Sequence, residues 1–384
     1  MKILFVINNA YTKGNGLAAS CRRTIQYLRE AGEDVRLLSA PGSEGESPDY
    51  PLPEGRIPLF HTLIKQQGYA FAKCDVAMIR KAVHWADVVH LEEPFDLQIK
   101  VCKIAEEEKK PLTATYHLHP ENFYSTVHLQ NSLWFNSMTM LVWRNTVFNH
   151  CNIVQCPTEN VKERLEKWHF RSELRVISNG IISQNTYAVS PIKKEEGIYL
   201  IITTGRFSVE KDQITLLKAM RYSRFASSIQ LVLAGKGPTE KRLRKEAERL
   251  LREGFLKREV VFRFYNLSEL QAIYKQADLY IHCAKVEVEG MACMEAIQMG
   301  IVPIIAKGKI TATSQFTFDH DSIFPAGNAK ALAKQIDFWL SDDRRRRIEA
   351  ERYLGIGVKY SINDSILQLR KMYQDAVHGG IINT

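Results

Sequence analysis

The sequence lacks any run of about 18 uncharged apolar residues, so no transmembrane helix is predicted. Its opening, MKILFVINNA, alternates like a strand and lacks the apolar core and small-residue cleavage site of a signal peptide. The seven cysteines are an odd number and form no C-x-x-C pair, which disfavours a disulfide framework and a zinc ribbon. Helix-turn-helix, zinc-finger and RNP-type patterns are also missing. We therefore expect a cytoplasmic protein that binds no nucleic acid.

The size and charge of the chain suggest a two-domain enzyme. A length of 384 residues exceeds one typical domain, and 45% apolar and 25% charged residues are ordinary for globular proteins. Of the net charge of +9, a share of +8 lies in residues 191–384 and +1 in residues 1–190. A basic half of this kind suits an anionic substrate or an anionic lipid surface.

Short β-branched runs alternate with helical segments along the whole chain. This alternation predicts an α/β fold with two doubly wound parallel sheets, joined by a polar linker at Ser183–Gly197. In such folds the ligand binds at the carboxyl ends of the strands. The predicted strands are Lys2–Asn8, Val35–Ser39, Asp87–Leu91, Leu112–Tyr116, Ile153–Cys156, Leu174–Ile177, Tyr199–Thr203, Gln230–Ala234, Val260–Phe264, Leu279–His282 and Val302–Ala306.

The segment Pro111–Thr158 is nearly free of charge. Its only Asp, Glu, Lys or Arg residues are Glu121 and Arg144, and it contains the aromatic stretch FYSTVHLQNSLWFNSMTMLVWRNTVF. Polar residues interrupt this stretch too often for a membrane span. Two interpretations remain open: a helix of the core and domain interface, or a surface that receives a lipid or enters the membrane interface.

A glycine-rich loop, Gly14-Asn15-Gly16, follows the first strand. It is not a typical dinucleotide fingerprint, because several residues separate it from the strand and the second strand ends at Ser39 rather than at an acidic residue. It is either a loop whose N–H groups approach an anion at a helix N-terminus or a plain turn.

The segment Val286–Gly300 concentrates chemically useful residues. Glu287 precedes a helix that begins near Gly290, and Glu295 lies inside that helix. The N–H groups of Gly290, Met291 and Ala292 would then form an anion site. A buried carboxylate such as Glu295 needs partners, which the hydroxyl groups of a ligand can supply.

Two cations follow an earlier strand of the same half. Thr204-Gly205-Arg206 closes that strand, and Lys211 lies five residues after Arg206. A guanidinium and an ammonium group placed in this way can hold a diphosphate.

These motifs resemble a known family. E-x7-E before A-I-Q-M-G-I-V-P, T-G-R-F-S-V-E-K-D, L-A-G-K-G-P and Thr115-Tyr116-His117 together resemble retaining glycosyltransferases of family 4, which have the GT-B fold of two Rossmann-like domains facing across a cleft. The resemblance implies an N-terminal acceptor-binding domain over residues 1–188 and a C-terminal nucleotide-sugar-binding domain over 189–361. A C-terminal helix within 362–384 would cross back to the first domain.

The resemblance also implies roles for individual residues. The catalytic set would be His117, Glu287, Arg206 and Lys211, with the two cations on the donor diphosphate, Glu287 on the donor sugar and His117 beside that sugar. The further donor contacts implied are Gly16 in the N-terminal loop, Phe264 and Tyr265 at uracil, the backbone of Gly290, Met291 and Ala292 at the sugar, and Glu295 at the ribose.

The acceptor is implied less directly. The run His117-Leu118-His119-Pro120-Glu121-Asn122 before the aromatic stretch resembles bacterial glycolipid glycosyltransferases, so His119, Glu121 and Asn122 are the expected acceptor contacts. The predicted reaction moves glucose or galactose from a UDP-sugar to diacylglycerol or ceramide at the inner face of the cell membrane. A capsule or lipopolysaccharide glycan precursor is the alternative acceptor.

No cofactor or metal is expected. Asp319-His320-Asp321 imitates the metal-binding D-x-D of another glycosyltransferase class, but it follows the E-x7-E helix and is predicted to form a turn. Cationic side chains and a helix N-terminus can stabilise the departing diphosphate without a metal.

Overall fold

The computed structural model describes residues 1–12, 14–55, 71–125, 129–182, 190, 192–318 and 320–379, apart from the side chains of 356–358. The chain divides into two compact units. The first comprises Met1–Gly180 and Ile362–Thr384, and the second comprises Ile181–Ser361. Most of the predicted linker, residues 183–189 and 191, lies outside the described residues.

The first unit is built on a parallel sheet that has seven strands in the described part of the chain, in the order β3-β2-β1-β4-β5-β6-β7. Its order reverses beside β1, which pairs with both β2 and β4. The strands are β1 Lys2–Val6, β2 Asp34–Ser39, β3 Tyr50–Pro51, β4 Val88–Leu91, β5 Leu112–Thr115, β6 Ile153–Cys156 and β7 Glu173–Val176.

Helices connect the strands of the first unit, and polar side chains begin several of them. The Asn15 side chain accepts hydrogen bonds from the first turn of Gly16–Glu30, and Asp75 and Thr158 cap later helices in the same way. The helices are Gly16–Glu30, Val76–Trp85, Asp96–Glu107, Pro120–Tyr124, Leu133–Thr146, Glu159–Lys167 and Ile362–His378, with a short 3-10 helix at Phe148–His150.

The second unit repeats this architecture with a parallel sheet in the order β10-β9-β8-β11-β13-β15 among the described residues. A separate two-stranded sheet pairs β12 with β14. The strands are β8 Tyr199–Thr204, β9 Ile229–Ala234, β10 Val261–Arg263, β11 Leu279–His282, β12 Val286–Glu287, β13 Val302–Lys307, β14 Ile310–Thr311 and β15 Ile323–Pro325.

The helices of the second unit cover both faces of its sheet. The strands β8, β11 and β13 are almost entirely buried, and Ile, Leu and Val make up half of their residues, as expected for a parallel sheet between two helical layers. The helices are Gln213–Ala219, Glu240–Arg252, Leu267–Tyr274, Met291–Ile297, Ala329–Leu340 and Asp343–Lys359, with 3-10 helices at Ala226–Ser228, Thr313–Phe316 and His320–Ser322.

The predicted fold class is confirmed: both units are doubly wound parallel α/β sheets. The predicted strands are present with ends shifted by up to two residues, so that the first ends at Val6 rather than Asn8. Four short strands were not predicted: Tyr50–Pro51, Val286–Glu287, Ile310–Thr311 and Ile323–Pro325.

Candidate active site

The strands β8 and β11 of the second unit are neighbours, and the predicted donor-binding residues follow their carboxyl ends. Lys211 comes after β8, and Glu287 comes after β11. The Lys211 ammonium is in direct contact with Oε2 of Glu287, and Nε2 of His282 lies 3.3 Å from the same oxygen. The structure thus brings together two predicted residues and adds a buried histidine that sequence reasoning missed.

Glu287 remains charged although it is largely buried. Burial by itself raises the pKa of its carboxyl group, but the Lys211 ammonium and His282 outweigh burial and lower the pKa to about 2. The small sheet holds the backbone of Glu287, which pairs with Thr311 and accepts a hydrogen bond from the Ala312 N–H at 3.0 Å. A fixed anion beside a fixed cation can bind both the hydroxyl groups and the phosphates of a ligand.

Arg206 is held by its own loop. Its guanidinium donates to Oε1 of the buried Glu210 at 3.1 Å, and its carbonyl oxygen accepts from the Gln213 side chain at 2.9 Å. Burial raises the pKa of Glu210, but Arg206 and the Ser208 hydroxyl outweigh it, so the pKa lies below its usual value. Arg206 is therefore a positioned cation.

Two glycines of L-A-G-K-G-P lie directly against this loop. A Cβ atom on Gly235 would lie 2.0 Å from the carbonyl oxygen of Gly205, and one on Gly237 would lie 2.3 Å from that of Phe207. Because the contacted atoms are backbone atoms, no side chain fits at either position. The two glycines thus allow their backbone to pack directly against the backbone of the Arg206 loop.

Gly290 begins the helix Met291–Ile297 in a left-handed conformation, with a φ of +88°. A Cβ atom there would lie 2.7 Å from Oγ1 of the buried Thr313, so both backbone angle and space require glycine. Met291 and Ala292 are half-buried in the first turn. The N–H groups of a first helical turn have no acceptor within the helix, which leaves them available to an anion.

Glu295 lies inside that helix, as predicted, and is half-buried. Burial is the larger cause that raises the pKa of Tyr274, and the negative charge of Glu295 adds to it. The Tyr274 hydroxyl donates to Oγ1 of Thr204 at 3.0 Å, at the end of β8. The role of Glu295 at a ribose stays a prediction.

The two residues predicted at the base, Phe264 and Tyr265, have different surroundings. The Phe264 ring is 55% exposed, and Nζ of Lys236 lies 5.6 Å from its centre. The Tyr265 ring is buried, and its hydroxyl has no hydrogen-bond partner in the described part of the chain. A planar base therefore fits the exposed face of Phe264 better than the buried ring of Tyr265.

In the first unit, His117 follows β5 and meets Glu92, which follows β4. Nε2 of His117 lies 2.6 Å from Oε2 of Glu92, and both side chains are more than nine-tenths buried. Glu92 had no role in the sequence prediction. Its signal was an acidic pair, Glu92-Glu93, directly after a buried strand, where charged side chains are costly unless they serve a partner.

The predicted acceptor residues bond within the first unit. The His119 ring is fully buried, with Nδ1 lying 3.3 Å from the Tyr116 hydroxyl, and its backbone N–H donates to Oδ1 of Asn122 at 3.1 Å. Glu121 pairs with Arg164 at 2.7 Å. These contacts stabilise the loop after β5, and an acceptor role for these residues stays a prediction.

The glycine loop before Gly16 is closed by its own asparagine. Gly14 has a φ of +73°, and Oδ1 of Asn15 accepts from the N–H groups of Leu17 and Ala18. The side chain thus takes two of the N–H groups that the anion interpretation requires, which favours the interpretation as a turn.

The helix Leu133–Thr146 presents apolar side chains to solvent. Leu133 is 83% exposed and Trp134 65%, and Met138 and Val142 are also exposed, while Asn136, Met140 and Trp143 face inward. Trp134, Met138 and Val142 are four residues apart and share one face. Of the two interpretations of this segment, the described residues favour the exposed surface.

Membrane-spanning helices and metal sites were the other features to consider in the described part of the chain, and neither is present there. None of the described helices is long and apolar enough to span a bilayer. The His, Cys, Asp and Glu side chains of the described residues form no group of three that could hold a metal ion. Asp319, the first residue of the D-x-D-like motif, lies outside the described residues, and His320 and Asp321 belong to a 3-10 helix.

Comparison with known proteins places the chain among glycosyltransferases. Residues 188–353 match the model of glycosyl transferases group 1, and residues 14–184 match that of glycosyltransferase family 4. The α-monoglucosyldiacylglycerol synthase of Streptococcus pneumoniae is 24% identical over 323 residues, covering 80% of this chain and 71% of that protein.

A solved structure that aligns over nearly the whole chain shows the same fold. Anabaena HepE, solved with UDP, aligns with a TM-score of 0.75 at 17% identity over 98% of this chain and 100% of HepE. The catalytic domain of cholesterol-α-glucosyltransferase from Helicobacter pylori is 38% identical over 42% of this chain and 99% of that domain, with a TM-score of 0.38. The two family matches, which together span most of the chain, and the two doubly wound sheets show that this protein belongs to glycosyltransferase family 4 and has the GT-B fold.

Proposed function

We propose that this glycosyltransferase transfers glucose or galactose from a UDP-sugar to a membrane lipid such as diacylglycerol, with retention at the anomeric carbon and without a metal. The observation that carries the proposal is the Lys211–Glu287 ion pair beside the start of the helix Met291–Ile297. A nucleotide sugar needs cations for its diphosphate and acceptors for its hydroxyl groups, and this cluster contains both.

The chemistry requires stabilisation of the leaving group. When the bond between the sugar and the phosphate breaks, negative charge develops on the departing UDP. Arg206, Lys211 and the first-turn N–H groups of Gly290, Met291 and Ala292 supply positive charge for it. Because fixed cations and helix dipoles can carry this charge, we expect turnover without a divalent metal.

The remaining donor contacts follow from the same arrangement. Glu287 accepts hydrogen bonds from hydroxyl groups of the donor sugar, and Glu295 accepts them from the ribose. Phe264 offers an exposed ring for stacking with uracil. HepE, a relative in fold, has been solved with UDP-glucose, which supports a donor of this class.

The proposal includes His117, which the resemblance to family 4 assigns to the donor sugar. A histidine held by a buried carboxylate has a fixed ring orientation, which suits a hydrogen bond to one sugar hydroxyl. We therefore expect His117→Ala to lower turnover severely while UDP affinity changes little.

A lipid acceptor is favoured by the apolar face of Leu133–Thr146 and by the relatives. Exposed Trp and Leu side chains at the start of a nearly uncharged helix suit the membrane interface, where an acceptor such as diacylglycerol resides. Two monoglucosyldiacylglycerol synthases, from Streptococcus pneumoniae and Acholeplasma laidlawii, are among the relatives. Acceptor binding by His119, Glu121 and Asn122 belongs to this proposal.

The test is a reconstituted transfer reaction. Purified protein is incubated with UDP-glucose or UDP-galactose and liposomes that contain diacylglycerol, ceramide or cholesterol, in buffer with EDTA, and lipids are analysed by mass spectrometry. We expect a hexosyl-diacylglycerol whose anomeric proton has the configuration of the donor by NMR. Lys211→Ala is the inactive control.

Other outcomes change the proposal in defined ways. A glycosylated ceramide or sterol, with diacylglycerol unmodified, would replace the acceptor. Transfer to a soluble glycan with no lipid product would favour the glycan-precursor alternative. Activity only after a divalent metal is added would overturn metal independence, and an inverted product would overturn retention.

A further inference from the structure

The buried carboxylate of Glu92 contacts the ring of His117 in the first unit. Oε2 of Glu92 lies 2.6 Å from Nε2 of His117, and the two side chains are 3% and 8% exposed. Such a short contact between a carboxylate and an imidazole nitrogen requires a hydrogen on Nε2, which the ring donates. The other ring nitrogen, Nδ1, does not contact Glu92.

The surrounding groups direct Glu92 toward His117. Nε2 of His90 lies 3.6 Å from the other Glu92 oxygen, but both ring nitrogens of His90 bond threonine hydroxyls, Thr113 and Thr115, at 2.9 Å. Burial is the main cause that lowers the pKa of His90 to about 4, so this ring is neutral near pH 7. His117 is therefore the main partner of the carboxylate among these two rings.

Three further titratable groups face Glu92 from packed elements. The Cys21 thiol of the first helix bonds the carboxylate and helps to keep its pKa low, against burial, which raises it. Tyr373 of the helix Ile362–His378 is fully buried nearby, and burial followed by the charge of Glu92 raises its pKa. Glu93, the next residue, also faces Glu92: burial is the main cause that raises the pKa of Glu93, and the charge of Glu92 adds to it.

The backbone fixes where the carboxylate lies. The Glu92 N–H donates to the carbonyl oxygen of Val6 at 3.1 Å, which extends the β1–β4 ladder by one bond beyond the end of β4. Both ends of the contact thus stand on a sheet: Glu92 just after β4 and His117 two residues after β5, which is the adjacent strand. A group held in this way is preorganised.

We propose that Glu92 is a positioning residue for His117: its carboxylate accepts the Nε2–H, fixes the orientation and tautomer of the ring, and leaves Nδ1 as the ring nitrogen that bonds a substrate hydroxyl. The inference rests on the proposed role of His117 in the transfer reaction. It adds a residue that does not itself contact the substrate and acts through the histidine.

The test is a double-mutant cycle between Glu92→Gln and His117→Ala. In the parent protein, Glu92→Gln should lower kcat by about 10- to 100-fold, the range typical of residues that orient a functional histidine. The KM for the UDP-sugar should change far less. In the His117→Ala background the same substitution should have almost no effect, because its only route to the reaction is gone.

Glu93→Gln is the matched control. Glu93 is the neighbouring buried glutamate, but its carboxylate accepts from the N–H and the side chain of Asn8, at 2.7 and 2.6 Å. Burial raises the pKa of Glu93 to about 7, so the carboxyl group is only partly ionised near neutral pH. The effect of Glu93→Gln on kcat should be small and should be the same with and without His117.

Three results would overturn the inference. One is a Glu92→Gln variant that folds and has the kcat of the parent. Another is an equal loss from Glu92→Gln in both backgrounds, which would mean that Glu92 acts through stability alone. A third is a ¹⁵N spectrum of histidine-labelled parent protein in which Nε2 of His117 carries no proton.

The spectrum also separates this inference from the proposed function. If His117→Ala retained full activity, the proposed role of His117 would fail, whatever the tautomer. The spectrum would still report whether Glu92 holds the ring, and it is recorded on the parent protein. A protonated Nε2 whose signal shifts in Glu92→Gln supports the positioning contact.

Discussion

The Lys211 ammonium and the Glu287 carboxylate form an ion pair within the second unit. Two side chains that the sequence assigns to different parts of a donor therefore hold each other in place. Lys211 is one-quarter exposed and Glu287 about one-eighth, so the pair is largely withdrawn from water. Removing one partner of such a pair leaves the other charge poorly compensated, which usually costs more than the pair contributes when intact.

We predict that Lys211→Ala abolishes most of the transfer activity. Loss of one group that stabilises developing charge typically lowers kcat by about 100- to 1,000-fold. The thermal midpoint should fall as well, because among the described residues His282 is then the group that remains close to Oε2 of Glu287. The measurement is kcat/KM with UDP-glucose beside calorimetry, with the exposed Lys218→Ala as control. Unchanged kcat/KM in Lys211→Ala would remove this residue from the donor site.

The low pKa of Glu287 predicts a specific acid sensitivity. Its pKa of about 2 lies below the ordinary 4.5, so the ionised group stabilises the fold above about pH 4.5, and this contribution is lost as the pH falls toward 2. Its full size is at most about 3 kcal/mol. Urea midpoints of parent and Glu287→Gln, compared over this range, should converge as the pH falls. A gap that stays constant would show that the charge of Glu287 does not stabilise the fold.

The sequence predicted the main strands but not the four short ones, for a physical reason. A buried parallel strand such as Val302–Lys307 is predicted by its short cluster of β-branched residues, Val302, Ile304 and Ile305. Strands of two or three residues, such as Tyr50–Pro51 and Ile323–Pro325, contain too few positions for any periodicity. They exist because a neighbouring strand pairs with them.

In the candidate site, too, local patterns were predictable from the sequence, whereas contacts between distant loops were not. The spacing of Glu287 and Gly290 was readable because a helix start needs particular residues at fixed offsets. The contacts of His282 with Glu287 and of Glu92 with His117 join different loops. A histidine at the end of a strand has no sequence signal for its partner, because the partner is set by which strands become neighbours.

The glycine contacts predict opposite effects for two Gly→Ala substitutions. Gly235→Ala would place a methyl group 2.0 Å from a backbone oxygen and should destabilise the protein by about 1–3 kcal/mol, as overpacking does, and displace Arg206. Gly355→Ala, at an exposed position of the helix Asp343–Lys359 where no described atom outside the adjacent helix backbone lies within 4 Å, should stabilise it by about 0.5–1 kcal/mol. Equal thermal midpoints of the two variants would contradict the steric argument.

The exposed face of Leu133–Thr146 predicts binding to neutral membranes. In the triple variant Trp134→Ser, Met138→Ser and Val142→Ser, the apolar stripe is removed while the inward side chains are kept. Co-sedimentation with phosphatidylcholine vesicles should then weaken by at least about 10-fold, since burying each methylene is worth about 0.8 kcal/mol. The helix has one charged residue, Arg144, so binding by the parent should persist in about 1 M salt, where charges are screened beyond about 3 Å.

The control for this prediction is a triple variant of equal exposure in the second unit, Tyr222→Ser, Leu267→Ser and Leu354→Ser, whose side chains are each about half exposed. Its vesicle binding should equal that of the parent, because these residues lie on three different helices or loops and form no common stripe. If both variants lose binding alike, the attraction is a general property of exposed apolar side chains. If binding requires anionic lipid and disappears in salt, the basic second half of the chain binds the membrane, rather than the exposed face of Leu133–Thr146.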